Sequence, residues 1–87
     1  MMDFQDFLKN TPSRPAEIEE IQALIDDEEN IEGFRAEARQ FMQKLAPGDR
    51  LYFHTSSQEA WQSGMGSEGY ALVRNGEIIA GLTLAIS

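Results

Sequence analysis

His54, the one histidine of the chain, lies two residues before Ser56, three before Ser57, and five from both Asp49 and Glu59. Serine, imidazole and carboxylate are the ingredients of a nucleophilic triad, in which histidine takes the hydroxyl proton and the acid orients the ring. The rest of that machinery is missing from the surrounding residues. Neither serine lies in a G-x-S-x-G turn, and no segment resembles an oxyanion hole. On an alternating strand His54 shares a face with Tyr52 and Ser56, so it reads as a partly exposed strand residue. Ser56, with Glu59 three residues on, reads as the cap of a short helix. No catalytic residue is assigned, and a small ligand-binding or hydrolytic domain using His54 is kept as an alternative.

Two further spacings invite chemistry. Gly64-Met65-Gly66-Ser67-Glu68-Gly69 fits G-x-G-x-x-G, the pattern that lets a backbone approach a phosphate. A dinucleotide turn must leave a strand and open a helix, whereas this one leaves a short helix and enters a strand, so it reads as a flexible connector. Asp26, Glu28, Asn30, Glu32 and Glu37 fall at positions one, three, five, seven and twelve of a calcium-loop template. The sixth position, which needs glycine for its sharp turn, is Ile31, and Gly33 stands where an apolar residue belongs. No metal and no cofactor is expected. The absence of cysteine removes disulfides, thiolate zinc sites and a cysteine nucleophile together.

Charge is the most localised property. Fifteen acids face seven bases, for a net charge of −8. Residues 16–32 hold Glu17, Glu19, Glu20, Asp26, Asp27, Glu28, Glu29 and Glu32 with no lysine or arginine, and the other seven acids balance the seven bases. Such a segment repels nucleic acid and anionic lipid and attracts basic protein surfaces. Arg35, Arg39 and Lys44 are too few beside these acids for a nucleic-acid footprint, and pairing with Glu32 explains them.

The elements that place these residues follow from periodicity. Eighty-seven residues suffice for one small domain, helical over about residues 2–46 and sheet-forming over about residues 50–87. Phe4, Phe7 and Leu8 predict a short helix over residues 2–9, and Pro15 suits the first position of the next. Ile18, Ile21, Leu24 and Ile25 form one stripe, and Ile31, Phe34, Ala38, Phe41 and Leu45 another. The two stripes differ in register, which predicts a break near residues 27–30, with a single bent helix over residues 16–45 as the alternative. Ala46-Pro47-Gly48-Asp49 then ends the helical half.

The period changes to two at residues 51–55. Trp61 sits on a short helix, and Asn75-Gly76 between Tyr70-Ala71-Leu72-Val73-Arg74 and Glu77-Ile78-Ile79-Ala80 predicts a two-residue hairpin. That turn pairs Arg74 with Glu77, Val73 with Ile78, Leu72 with Ile79, Ala71 with Ala80 and Tyr70 with Gly81. Val73, Ala71, Ile78, Ala80, Leu82, Leu84 and Ile86 would then face the helices. Tyr70, Leu72 and Ile79 would form an opposite apolar face. The last strand outruns its partner, so residues 51–55 are expected beside it, with the last strand central. Trp61 is expected to close the open end of the sheet.

The aromatic strand, Thr55-Ser56-Ser57, Glu59, Trp61, the glycine-bearing segment and the hairpin resemble a group of short bacterial proteins with these features in this order. The resemblance covers residues 51–87, somewhat under half of the chain. Ser57-Gln58 replaces the group's usual proline-rich helix start, and the acidic half is not part of the match. The resemblance implies the strands and no activity.

The expected protein is therefore an α+β domain, with N-terminal helices packed on one face of a three-stranded, mainly antiparallel sheet ending in a hairpin. Its expected role is non-enzymatic binding of a basic protein surface through Glu19, Glu20, Asp26, Asp27, Glu28, Glu29 and Glu32, as an inhibitor, immunity protein or adaptor. Tyr52, His54, Tyr70, Leu72 and Ile79 form a secondary surface, and a homodimer or self-associating scaffold through it is the further alternative. No direct nucleic-acid contact is expected. The acidic opening Met1-Met2-Asp3 is unlike a secretion signal, and the longest apolar run is far below the ~20 residues a membrane helix needs, so a cytoplasmic compartment is expected.

Overall fold

A computed structural model describes residues 12–86, and the helix expected over residues 2–9 lies outside them. The elements are β1 (Ser13–Pro15), α1 (Ile18–Asp26), α2 (Glu32–Gln43), β2 (Arg50–Thr55), α3 (Gln58–Gln62), β3 (Ser67–Arg74) and β4 (Glu77–Ile86). The strands make one antiparallel sheet in the order β1-β2-β3-β4. The α+β class holds, but among the described residues the sheet has four strands where three are expected.

The additional strand is β1. Proline disfavours helical geometry in the residue before it, so Arg14 is extended, and Pro15 is tolerated because β1 lies at the sheet edge. Thr55 N–H donates to the Pro12 carbonyl at 3.1 Å and Ala16 N–H to that of Leu51 at 2.9 Å. Pro15 is thus a strand residue and not the start of a helix, which begins at Ile18 behind Glu17.

The hairpin turn forms as expected, with Asn75 at φ 53° and Gly76 at φ 78°. Arg74 pairs with Glu77 and Val73 with Ile78. Beyond them the expected register fails, because β4 carries an extra residue at Ile79: Leu72 pairs with Ala80, Ala71 with Gly81 and Tyr70 with Leu82. A shift of one residue exchanges the faces of a strand. Tyr70 and Leu72 therefore point at the helices, together with Leu51 and Phe53 of β2.

The position of β4 is also corrected. β3 begins at Ser67, three residues before the expected start, and so accounts for the length of β4. Arg50–Thr55 pairs with β3, which leaves β4 at the edge and not at the centre. A second extra residue, Leu84, lies between the partners of Glu68 and Gly69. Ile86, expected on the helix-covered face, is 75% exposed.

The core lies between the helices and the sheet. Ile21 and Ile25 of α1 and Ala38 and Phe41 of α2 meet Tyr70, Leu72 and Leu82. Ile21 is 1% exposed and Leu72 fully buried, each contributing about 1.5–3 kcal/mol of apolar burial. Continuing the α1 stripe past Ile25 would bring Glu28 and Glu32 inward, so the chain leaves the helix after Asp26 and restarts at Glu32 in a new register. The acidic residues are thereby concentrated at a corner.

Candidate acidic binding site

The acids divide between the two ends of α1. At the N-terminus, Glu17 N–H donates to Glu20 Oε2 at 2.9 Å, satisfying a backbone donor that the helix leaves free. Arg14 donates to both oxygens of Glu20, at 2.7 and 3.1 Å, and the Tyr70 hydroxyl donates to Oε1 at 3.0 Å. Arg14 also lies 4.8 Å from the centre of the Phe53 ring, which meets Tyr70 edge-on at 5.3 Å between centroids. Glu20 thus joins β1, α1 and the sheet.

The protonation equilibria record this arrangement. Arg14, the Glu17 amide and Tyr70 together hold the Glu20 carboxyl down at about 2. Burial and the neighbouring carboxylate push the Tyr70 phenol up to about 12. Glu20 is a structural residue, committed inside the molecule. Glu19 is exposed in the first turn, where its charge favours the helix dipole.

The other end is built differently. Asp26, Asp27, Glu28 and Glu29 are all exposed. Asp26 accepts from Gln22 Nε2 at 2.9 Å and Asp27 Oδ1 from Glu29 N–H at 2.9 Å, so the turn is held by neutral donors. None of the four forms an ion pair among the described residues. Negative charge here opposes the helix dipole. Two side chains compensate at the free carbonyls: Arg35 Nε donates to Ile25 O at 2.7 Å and Asn30 Nδ2 to Leu24 O at 3.0 Å. The periodicity of α2 places Arg35 near Glu32, but gives no sign of this bond back to α1.

Glu32 belongs to neither group. It receives Arg39 at 2.9 Å and Arg35 at 3.3 Å, and Arg39 chiefly lowers the pKa of its carboxyl. Of the seven acids expected at the site, Glu20 and Glu32 are engaged internally and Glu19 lies at the far end of α1. The open cluster consists of Asp26, Asp27, Glu28 and Glu29.

The secondary surface does not survive as one unit. Tyr70 is 6% exposed and Leu72 fully buried, because the extra residue at Ile79 turns them into the core. Ile79 is half-buried against that core. Tyr52 and His54 are half-buried and alternate with the core-facing Leu51 and Phe53. Burial pushes the His54 imidazole below its ordinary range, with Glu68 acting in the opposite direction.

The serines do not converge on His54. Ser56 Oγ accepts Ser67 N–H at 2.8 Å and donates to the Ser67 carbonyl at 3.1 Å, closing the strand pair. Ser57, one residue later than expected, is the α3 cap, accepting Ala60 N–H at 3.2 Å. The groove lined by Ser56, Ser57, Glu59 and Ser67 does not include His54.

The glycine pattern is accounted for by backbone geometry. Gly64 has φ +78° just past α3, and a Cβ at Gly66 would strike the Trp61 ring. One at Gly69 would collide with the Leu82 carbonyl oxygen. Ser67, Glu68 and Gly69 lie in β3, so half of the expected connector is strand. Trp61 Nε1 donates to Thr55 Oγ1 at 3.3 Å, which fixes the indole beside the end of β2.

Asp49 is a polar residue whose role the spacing does not show. It binds Arg74 through two contacts of 2.8 Å and accepts Ala46 N–H at 2.9 Å, while Arg74 also donates to Lys44 O at 3.2 Å. The Arg74 guanidinium chiefly holds the Asp49 carboxyl at about 2. This fastens the end of α2 to the hairpin. Among the described residues no group of three or more His, Asp or Glu side chains is placed to hold a metal, and no helix is long and apolar enough to cross a membrane. No protein-family model, curated protein or solved structure matches the chain.

Proposed function

We propose that this protein is a non-enzymatic binding module that engages a basic protein surface through the acidic turn between α1 and α2. One observation carries the reading: Asp26, Asp27, Glu28 and Glu29 stand exposed and outside any ion pair among the described residues, while Glu20 and Glu32 are matched with arginines. The turn also places Asp26 and Asp27 where their charge works against the helix they end. Their hydrogen bonds to Gln22 and the Glu29 amide need only an acceptor oxygen, and recruitment of lysine and arginine supplies a reason for the charge. An inhibitor or immunity protein that covers a nucleic-acid-binding surface fits this chemistry, with carboxylates standing where phosphates would.

The test compares capture by the wild-type protein with capture by a variant combining Asp26→Asn, Asp27→Asn, Glu28→Gln and Glu29→Gln. A basic partner held at low salt, and lost both in the variant and at high salt, is the expected result. Identical capture by the two proteins overturns the reading.

A further inference from the structure

Ile31 occupies the N-cap of α2, where serine, threonine, aspartate or asparagine would accept a free helix N–H and isoleucine accepts none. It is also 76% exposed. An uncapped helix start and a bare isoleucine are two unfavourable features at one position, and neither core packing nor local structure accounts for them.

Ile31 lines a groove of about 500 Å³ together with Leu24, Phe34 and Leu84, and with Glu29 and Asn30. Leu24, Phe34 and Leu84 are half-buried against the core, so the groove has an apolar lining backed by packed residues. The Asn30 bond to the Leu24 carbonyl fixes the turn at its rim. The acids of that turn, Asp27, Glu28 and Glu29, are exposed along the same short segment.

We infer that this groove seats an apolar side chain of a basic peptide segment, whose flanking lysines and arginines meet Asp27, Glu28 and Glu29. The occupant follows from charge: an apolar anchor needs the groove, and this rim attracts a cationic chain, repels an anionic one and gives a neutral one no electrostatic gain. The inference rests on the acidic turn being a protein-binding surface, and adds the partner's apolar anchor. The acids then govern approach and salt dependence, and the groove governs residence.

Two fluorescein-labelled peptides with the same lysine and arginine content, one with a central leucine and one with a central serine, separate the two contributions. By anisotropy on the full chain, the leucine peptide binds about tenfold more tightly or better. Ile31→Ser removes that advantage and leaves the affinity of the serine peptide unchanged. Because serine is a good N-cap, this variant keeps or raises the melting temperature, which excludes misfolding as the cause. Combining Asp27→Asn, Glu28→Gln and Glu29→Gln weakens both peptides alike. Equal, salt-sensitive binding of the two peptides to wild type overturns the groove and leaves the acidic surface standing. Failure of both to bind overturns the two together.

Discussion

The two ends of α1 are both rich in carboxylates, three at the first and four at the second, and opposite in construction. At the N-terminal end Glu20 favours the helix dipole, caps a backbone amide and joins Arg14 to Tyr70. At the C-terminal end Asp26 and Asp27 oppose the dipole, and the fold supplies Arg35 and Asn30 to satisfy the adjoining carbonyls. Acidity at the first end is explained by folding, and at the second it is tolerated. A charge that the fold must accommodate, and does not neutralise, is the better candidate for work outside the molecule.

Breaking the compensation at the C-terminal end has the largest effect. Arg35→Met keeps much of the side-chain packing but removes the bond to Ile25 O and the contact with Glu32, and costs about 1.5–3 kcal/mol in denaturant unfolding. With Asp26→Asn and Asp27→Asn in the background the loss is smaller, because less negative charge remains for the guanidinium to offset. An undiminished loss would show that Arg35 acts on the carbonyl alone.

The N-terminal end is separated by pH. Glu20 falls from 4.5 to about 2 on folding and Asp49 from 3.8 to about 2, so their stabilisation is complete above the unfolded values and is lost as pH falls towards the folded ones. Tyr70 rises from 10.0 to about 12, so its contribution is complete below 10.0 and is lost as pH rises through about 12. Melting temperatures should fall on both sides of a plateau. Tyr70→Phe should shrink the alkaline loss and cost about 1 kcal/mol at neutral pH through the missing hydrogen bond. An unchanged alkaline limb would detach Tyr70 from the Glu20 cluster.

Much of the fold is legible in the sequence. The stripes ending at Ile25 and beginning at Ile31 locate both long helices and the break between them, because burial imposes the 3.6-residue period, although Ile31 itself is 76% exposed and the buried part begins at Phe34. Asn75-Gly76 specifies its turn through the two positive φ values that few other pairs accept. The extra residue at Ile79 leaves no mark, since Ile78 and Ile79 are equally apolar, and a single slip there reverses Tyr70 and Leu72. β1 is hidden by its shortness and its proline. Residues 26–29 are visible as charge alone; that none of them pairs with a base among the described residues depends on where Arg14, Arg35 and Arg39 point, which is tertiary information.

The smallest expected effect has the opposite sign. Asp26→Asn with Asp27→Asn should stabilise the isolated protein by a few tenths to about 1 kcal/mol, because like charge leaves the negative end of α1. A gain in stability accompanied by a loss of partner binding is the outcome that best separates the two ends. A loss of stability would show the C-terminal acids to be structural as well.

The two extra residues of β4 also bear on crowding. Residues 78–86 form a sheet border with no charge and no proline, the composition on which strands of neighbouring molecules stack. Ile79 and Leu84 interrupt its spacing, so an arriving strand finds only Ala80, Gly81, Leu82 and Thr83 in even alternation before the hydrogen-bonding row loses step. The slip that places Tyr70 beneath the helices therefore also denies this ribbon the straight template from which fibrils grow.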